Sequence, residues 1–205
     1  MKRKLKRQER REKNEYYAVV DTNILVSAAL AKDRLQSVPY AVFQGISKHL
    51  FTPIVDENIV EEYCEVMSRS KFRWNVSYGQ RFVDEILKYA INEPVAPTDF
   101  TLPDVDDRIF YDVAFAHRDK NAYVVTGNIK HFPNVPFAIS ARNFLDLINP
   151  VQSQMFVNDV SVSYSASTLM SALQALNEDA LKNGSAGMSE EEIVTEIKAA
   201  RAERK

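Results

Sequence analysis

The chain has 205 residues, 45% hydrophobic and 26% charged, ordinary values for a soluble globular protein with one domain of about 150 residues plus appendages. No apolar run approaches the roughly 20 residues of a membrane span, and the basic N-terminus has no apolar stretch of the secretory kind. Cys64 is the single cysteine, which excludes an internal disulfide, so the expectation is a cytoplasmic protein with no membrane partner.

The net charge of −2 hides a segregation. Residues 1–15 carry eight Lys/Arg and three Glu. This basic arm suits contact with nucleic acid, although a solvated chain end reads the same way. The folded part then opens with a buried strand over 17–20. An apolar, alanine-rich helix follows over 24–31, started by Thr22 or Asn23. A second helix spans 38–48, with Pro39 in its first turn, and a short strand spans 50–53. Asp56 is a good N-cap for a helix to about residue 69. Another helix covers 78–91, and 94–103 is a proline-punctuated connector.

A helix over 106–118 buries Ile109, Phe110, Val113 and Ala114. The nearly continuous apolar run 122–126 is the pattern of a parallel strand covered on both faces. A last strand over 136–139 and a helix over 141–148 close this part, and Pro150 marks its end. Strands alternating with helices imply an α/β fold with a central parallel sheet. The domain division is therefore 1–15, 16–150 and a mainly helical extension over 151–205. In that extension 155–165 alternates like a strand and 167–182 is helical. Residues 183–187 break the pattern, and Ser189 with Glu192 forms a capping box for a helix through residue 204. That helix has a thin apolar face (Ile193, Val194, Ile197, Ala200) and needs a partner surface.

The acids carry the chemistry. In Tyr17-Ala18-Val19-Val20-Asp21 an apolar strand ends on a carboxylate, and ligands of open parallel sheets bind beyond the carboxyl ends of the strands. Glu61 and Glu62 lie within a helix, and Asp104, Asp106 and Asp107 open one. Any one of them has a plain reading: Asp21 as an N-cap, Glu61 and Glu62 as a solvated face, the Asp run as partners of a helix dipole. Three Asp so close repel one another, and a bound cation relieves that repulsion. Carboxylates far apart in sequence and deliverable to one sheet edge are what a Mg²⁺ or Mn²⁺ site needs.

Four segments together resemble the PIN-domain nucleases, in particular the branch of toxins from type II toxin–antitoxin pairs. They are Val19-Val20-Asp21-Thr22-Asn23-Ile24-Leu25-Val26-Ser27, the stretch from Glu62 through Arg69-Ser70-Lys71-Phe72, Pro103-Asp104-Val105-Asp106-Asp107-Arg108, and Val125-Thr126-Gly127-Asn128 running on to His131-Phe132-Pro133. They occur in family order between residues 17 and about 148. The resemblance implies a PIN-like fold and metal ligands at Asp21, Glu62 and Asp107. The fourth acid of the family falls at Asn128, whose carbonyl oxygen can coordinate a cation but brings no charge, so a weaker or singly occupied site is expected. Thr22, Asn23, Asp104 and Thr126 are expected behind the ligands or facing phosphate. Asp112 is expected to pair with Arg108 at i, i+4; His131, beside Asn128, is read as structural or exposed ahead of a role at substrate, and His49 and His117 are read as surface residues.

The expected activity is metal-dependent hydrolysis of RNA phosphodiester bonds, with Mg²⁺ or Mn²⁺ activating water and clamping phosphoryl oxygens. Partners implied by the resemblance are RNA, a second copy of the chain, and an antitoxin. The tail over 166–205 is similar to short antitoxins, which implies a neutralising segment in cis, with a separate antitoxin as the other arrangement. Arg201 and Arg204, at i, i+3, are expected to project toward the carboxylates and compete with the metal. One alternative is a catalytically weak RNA-binding PIN-like module, favoured by Asn128 and the basic arm. Another is an aspartyl phosphotransfer site at Asp21. That chemistry wants a second Asp where Asn23 stands.

Overall fold

The computed structural model describes residues 16–148 and 188–204. The basic arm, the expected strand and helix over 155–182 and the break over 183–187 lie outside these residues. The elements in chain order are β1 (Tyr17–Val20), α1 (Thr22–Ala29), α2 (Val38–Ser47), β2 (Thr52–Val55), α3 (Glu57–Met67), α4 (Val76–Tyr89), β3 (Ile91–Asn92), α5 (Arg108–Ala116), β4 (Ala122–Thr126), β5 (Ala138–Ser140), α6 (Ala141–Ile148) and α7 (Glu190–Glu203). The five strands form one sheet in the order β3-β2-β1-β4-β5, with every pair parallel. This is the α/β architecture of a helix-covered parallel sheet. Ala18, Val19 and Val20 are all buried, as are Val124, Val125 and Thr126, which is how strands covered on both faces present themselves. No helix among the described residues is long and apolar enough to cross a membrane.

The topology locates the crevice. The chain starts at the centre of the sheet, runs outward through β2 and β3, then crosses back to place β4 on the other side of β1. The connections leaving β1 and β4 therefore diverge, and this switch point opens a cleft at the carboxyl ends of the two strands. Register fixes the depth: Val20 pairs with Val125, and the Asp21 amide donates to the Val125 carbonyl at 2.9 Å. Asp21 thus sits one residue beyond the edge of the sheet, beside the end of β4.

Several element boundaries differ from expectation for local reasons. β2 continues through Pro53 to Val55, because Ile54 and Val55 are fully buried and their packing outweighs the donor lost at proline. α4 begins at Val76, where the Asn75 side chain caps the Ser77 amide at 3.0 Å. Ile91 leaves that helix and pairs with Ile54 in β3, since Ala90 is already extended. Val105–Asp107 form a 3₁₀ turn before α5, so the Asp run precedes the helix proper. His117 is buried, not at the surface: it ends α5 with Nδ1 2.8 Å from the Val113 carbonyl and Nε2 3.1 Å from Glu93.

Candidate metal centre at the sheet edge

Asp21 does two things at once. It is the N-cap of α1, its Oδ1 accepting from the Asn23 amide at 3.2 Å. Its Oδ2 accepts from Asn23 Nδ2 at 2.7 Å and from the Thr126 hydroxyl at 2.6 Å. The Thr126 oxygen accepts in turn from the Asn128 amide at 2.9 Å, and the Asn23 side-chain carbonyl accepts from the Gly127 amide at 3.1 Å. Thr22, Asn23 and Thr126 therefore tie the end of β1 to the end of β4 through Asp21. All its partners are neutral; among the described residues no cation stands within ion-pair distance of it. Burial, and then the like charge of Asp107, push its carboxyl up to about 7, against the bond from Thr126, the charge of Arg201 and the Asn23 amide.

Glu62 is reached by another route. Asp56 caps α3 through the Asn58 amide at 2.8 Å. Ile59, Tyr63 and Val66 bury the apolar stripe of that helix. Glu62 shares the buried face, while Glu61 points to solvent. The Tyr63 hydroxyl donates to the Val20 carbonyl, which locks α3 against the end of β1. The Thr22 hydroxyl donates to Glu62 Oε1 at 2.6 Å. Asp107 closes the 3₁₀ turn begun by Asp104, whose Oδ1 accepts from the Asp106 amide at 3.2 Å. Asp112 lies elsewhere: it holds Thr98 at 2.6 Å and Arg108 at 3.6 Å.

The structure thus brings Asp21 and Asp107, both nearly inaccessible, to one crevice at the carboxyl edge of the sheet, with the equally buried Glu62 joined to them through Thr22 and Arg201. Asn23, Asp104, Asn128 and His131 line the same crevice, and its remaining wall is α7, through Val194, Ile197, Lys198 and Arg201. Arg201 is buried there. Its Nε and Nη2 donate to the two Glu62 oxygens at 3.0 and 2.9 Å, and Nη1 donates to Asp107 Oδ1 at 2.8 Å. Burial works against its charge, but Glu62, Asp107 and Asp21 outweigh it and hold its pKa above the ordinary value. Arg204 reaches Glu62 only at 3.8 Å and is partly exposed.

α7 is seated by more than arginine. Ile193, Ile197 and Ala200 are buried in the main core cluster. The Ser189–Glu192 capping box starts the helix at 2.7 and 3.2 Å. Lys198 pairs with Asp104 at 3.2 Å, and Arg69, at the end of α3, pairs with Glu196 and, at 2.9 Å, with Glu203. The roles of Arg69 and Lys198 were not legible in the sequence, because each pair joins residues about a hundred or more positions apart. His131 was underrated there. Its Nδ1 lies 2.7 Å from Asp107 Oδ2, and Asn128 Nδ2 is 2.8 Å from its Nε2. The available signal was its place three residues after Asn128, on the same short turn.

Oxygen donors from three buried carboxylates suit a hard divalent cation. A cation bound there would favour the charged form of Asp21, which burial and the neighbouring Asp107 disfavour. Asp104, Asp107 and His131 also offer ligand atoms within 4.8 Å of one another.

No curated protein and no solved structure matches the chain. A family model described as PIN domain matches residues 17–130, more than half of the 205 residues. The matched span covers the switch point and the acids at its mouth, and the chain belongs to the PIN-domain family, whose members are generally metal-dependent nucleases.

Proposed function

We propose that the chain is a divalent-metal-dependent endoribonuclease, the toxin of a toxin–antitoxin system, kept closed by its own C-terminal helix. The observation that carries the nuclease reading is that Asp21 and Asp107 line one crevice at the switch point of a parallel sheet, with Glu62 held beside them by Thr22 and by the arginine it shares with Asp107. These residues are the ligands for Mg²⁺ or Mn²⁺, and Asn128 stands at the rim as a neutral substitute for a fourth acid. The ion supplies Lewis acidity toward a phosphodiester and lowers the pKa of water. The chain's own part is to hold the acids rigid: Asn23 and Thr126 fix Asp21, and Thr22 fixes Glu62. RNA as substrate rests on the likeness to the toxin branch and on the basic arm at 1–15.

The closed state rests on Arg201. A guanidinium bonded to Glu62 and Asp107 meets with its own charge the acids a cation would neutralise. It also covers the face a phosphate would approach. Metal and helix α7 are thus competitors for the same oxygens, and α7 plays the part of an antitoxin in cis. A second reading, an RNA-binding module with weak catalysis, draws on Asn128 and on the basic arm at 1–15.

The deciding experiment is RNA cleavage with and without Mn²⁺, on the full-length protein and on full-length Arg201→Ala. Mn²⁺-dependent cleavage, stronger in the variant and absent in the Asp21→Asn, Arg201→Ala double variant, is the expected result. RNA binding without cleavage in every protein would favour the binding module.

A further inference from the structure

Asp107 presents its two oxygens to different neighbours. Oδ1 faces Arg201 and, through it, Glu62; Oδ2 faces the imidazole of His131. Asp104 closes this second side, so that Asp104, Asp107 and His131 offer three ligand atoms within 4.8 Å of one another. Cis ligands about 2.1 Å from an ion lie about 3.0 Å apart, and Asp107 Oδ2 and His131 Nδ1 stand 2.7 Å apart. Without an ion this contact is a hydrogen bond, and an ion would take the place of its proton with a separation of a few tenths of an ångström. The tail supports the need for charge here independently, since α7 places Lys198 against Asp104 and Arg201 against Asp107.

We propose that His131 is a metal ligand of this chain, supplying a nitrogen donor beside the neutral residue Asn128, and that the centre therefore ranks Mn²⁺ and its heavier neighbours above Mg²⁺. The proposal rests on the metal-dependent reading above and specifies the ion class. Mg²⁺ demands a near-ideal shell of oxygens, whereas imidazole nitrogen suits later first-row metals. Asn128 then has a defined task. Its side-chain amide lies against the ring of His131, with Nδ2 2.8 Å from Nε2 and 3.1 Å from Nδ1. With Nδ1 free to ligate, the ring proton sits on Nε2, and Asn128 holds it by turning its amide oxygen to accept it. A ligating histidine is oriented in this way by the partner of its other nitrogen.

The test uses Mn²⁺ alone as probe, on the full-length chain and on full-length Arg201→Ala, which opens the pocket. Pulsed electron paramagnetic resonance reads coupling of the ion to a ¹⁴N nucleus, and calorimetry reads Mn²⁺ and Mg²⁺ affinity. The expected result is nitrogen coupling in at least one of these proteins. His131→Gln, made in that same background, should abolish the coupling and weaken Mn²⁺ binding by about tenfold or more, with Mg²⁺ affinity little changed. His131→Asp should bind Mn²⁺ without coupling and narrow the preference over Mg²⁺. Mn²⁺ bound without nitrogen coupling, or coupling that survives His131→Gln, overturns the assignment of His131 and leaves the nuclease reading standing. No Mn²⁺ bound by either protein overturns both. Nitrogen coupling in a protein that never cleaves RNA upholds His131 and removes the nuclease reading.

Discussion

The two walls of the crevice solve the same electrostatic problem differently. On the strand side, Asp21 is held by an amide and a hydroxyl, both neutral and both a few bonds from the sheet. On the helix side, Glu62 and Asp107 are held by a guanidinium that arrives from residue 201. The first arrangement is fixed with the sheet; the second depends on a separate helix remaining docked. Buried charge met by neutral donors stays costly, and Asp21 shows it in a carboxyl pushed up to about 7. Buried charge met by opposite charge is relieved, but only while its partner stays. The strand wall is thus built into the sheet, and the helix wall is the half that the proposed function treats as a switch.

The largest expected effect breaks the strand wall. Asp21→Asn, in a background that cleaves RNA, should lower Mn²⁺-dependent cleavage by well over 100-fold, since even partners behind metal ligands cost about 10–100-fold when lost. Near-normal cleavage by a folded variant would remove Asp21 from the centre.

Next comes the helix wall. Breaking a buried ion pair from one side costs about 3–5 kcal/mol, so Arg201→Ala should release α7. Hydrogen exchange would show this as lost protection over residues 190–203, accompanied by faster cleavage. Arg201→Lys should not restore the docked state, because an ammonium cannot bond Glu62 with two parallel donors and Asp107 with a third. Unchanged exchange in Arg201→Ala would mean that the apolar contacts of Ile193, Ile197 and Ala200 hold the helix unaided.

A subtler separation of the walls uses pH. The carboxyl of Asp21 titrates near 3.8 when unfolded and near 7 when folded. The folded state therefore holds this proton more tightly. Its contribution is fully present below about pH 4 and is lost as pH rises to 7. Asp21→Asn keeps a neutral group at every pH. Its stability relative to the parent, without metal, should rise between pH 4 and 7 by about 4 kcal/mol. Denaturant melts at several pH values check this, and a difference flat with pH would show that Asp21 is already ionised in the folded protein.

The smallest effect lies on the rim. Arg69 pairs with Glu196 and Glu203, the latter well exposed. Surface pairs contribute about 0–1 kcal/mol, so Arg69→Ala should loosen α7 only slightly and raise cleavage far less than Arg201→Ala.

How much of this could be read from the sequence follows the same division. The strand wall was legible, because Val19-Val20-Asp21 and Val125-Thr126 carry their burial pattern and their polar terminus within a few residues. The acid of α3 was legible only by likeness, since Glu61 and Glu62 look alike until the helix is docked and one of them is buried. Strand β3 escaped because it has two residues at the end of a long amphipathic helix, so Ile91 continued the helical stripe. His117 was misread because its acid, Glu93, lies 24 positions away and only the Val113 carbonyl, one helical turn back, is close in sequence. His131 was misjudged because its partner Asp107 comes from a different element.

The placement of Arg201 on the same chain as the acids it covers has a consequence for dosage. An inhibitor made as a separate molecule is lost on dilution, and its ratio to its target varies with synthesis and decay. A tethered one is present at one copy per site, and its local concentration is set by the length of the connection rather than by the amount of protein. Under the proposed inhibition by α7, closure of this site is a property of each molecule, indifferent to concentration, and opening it calls for something that acts on the contact itself.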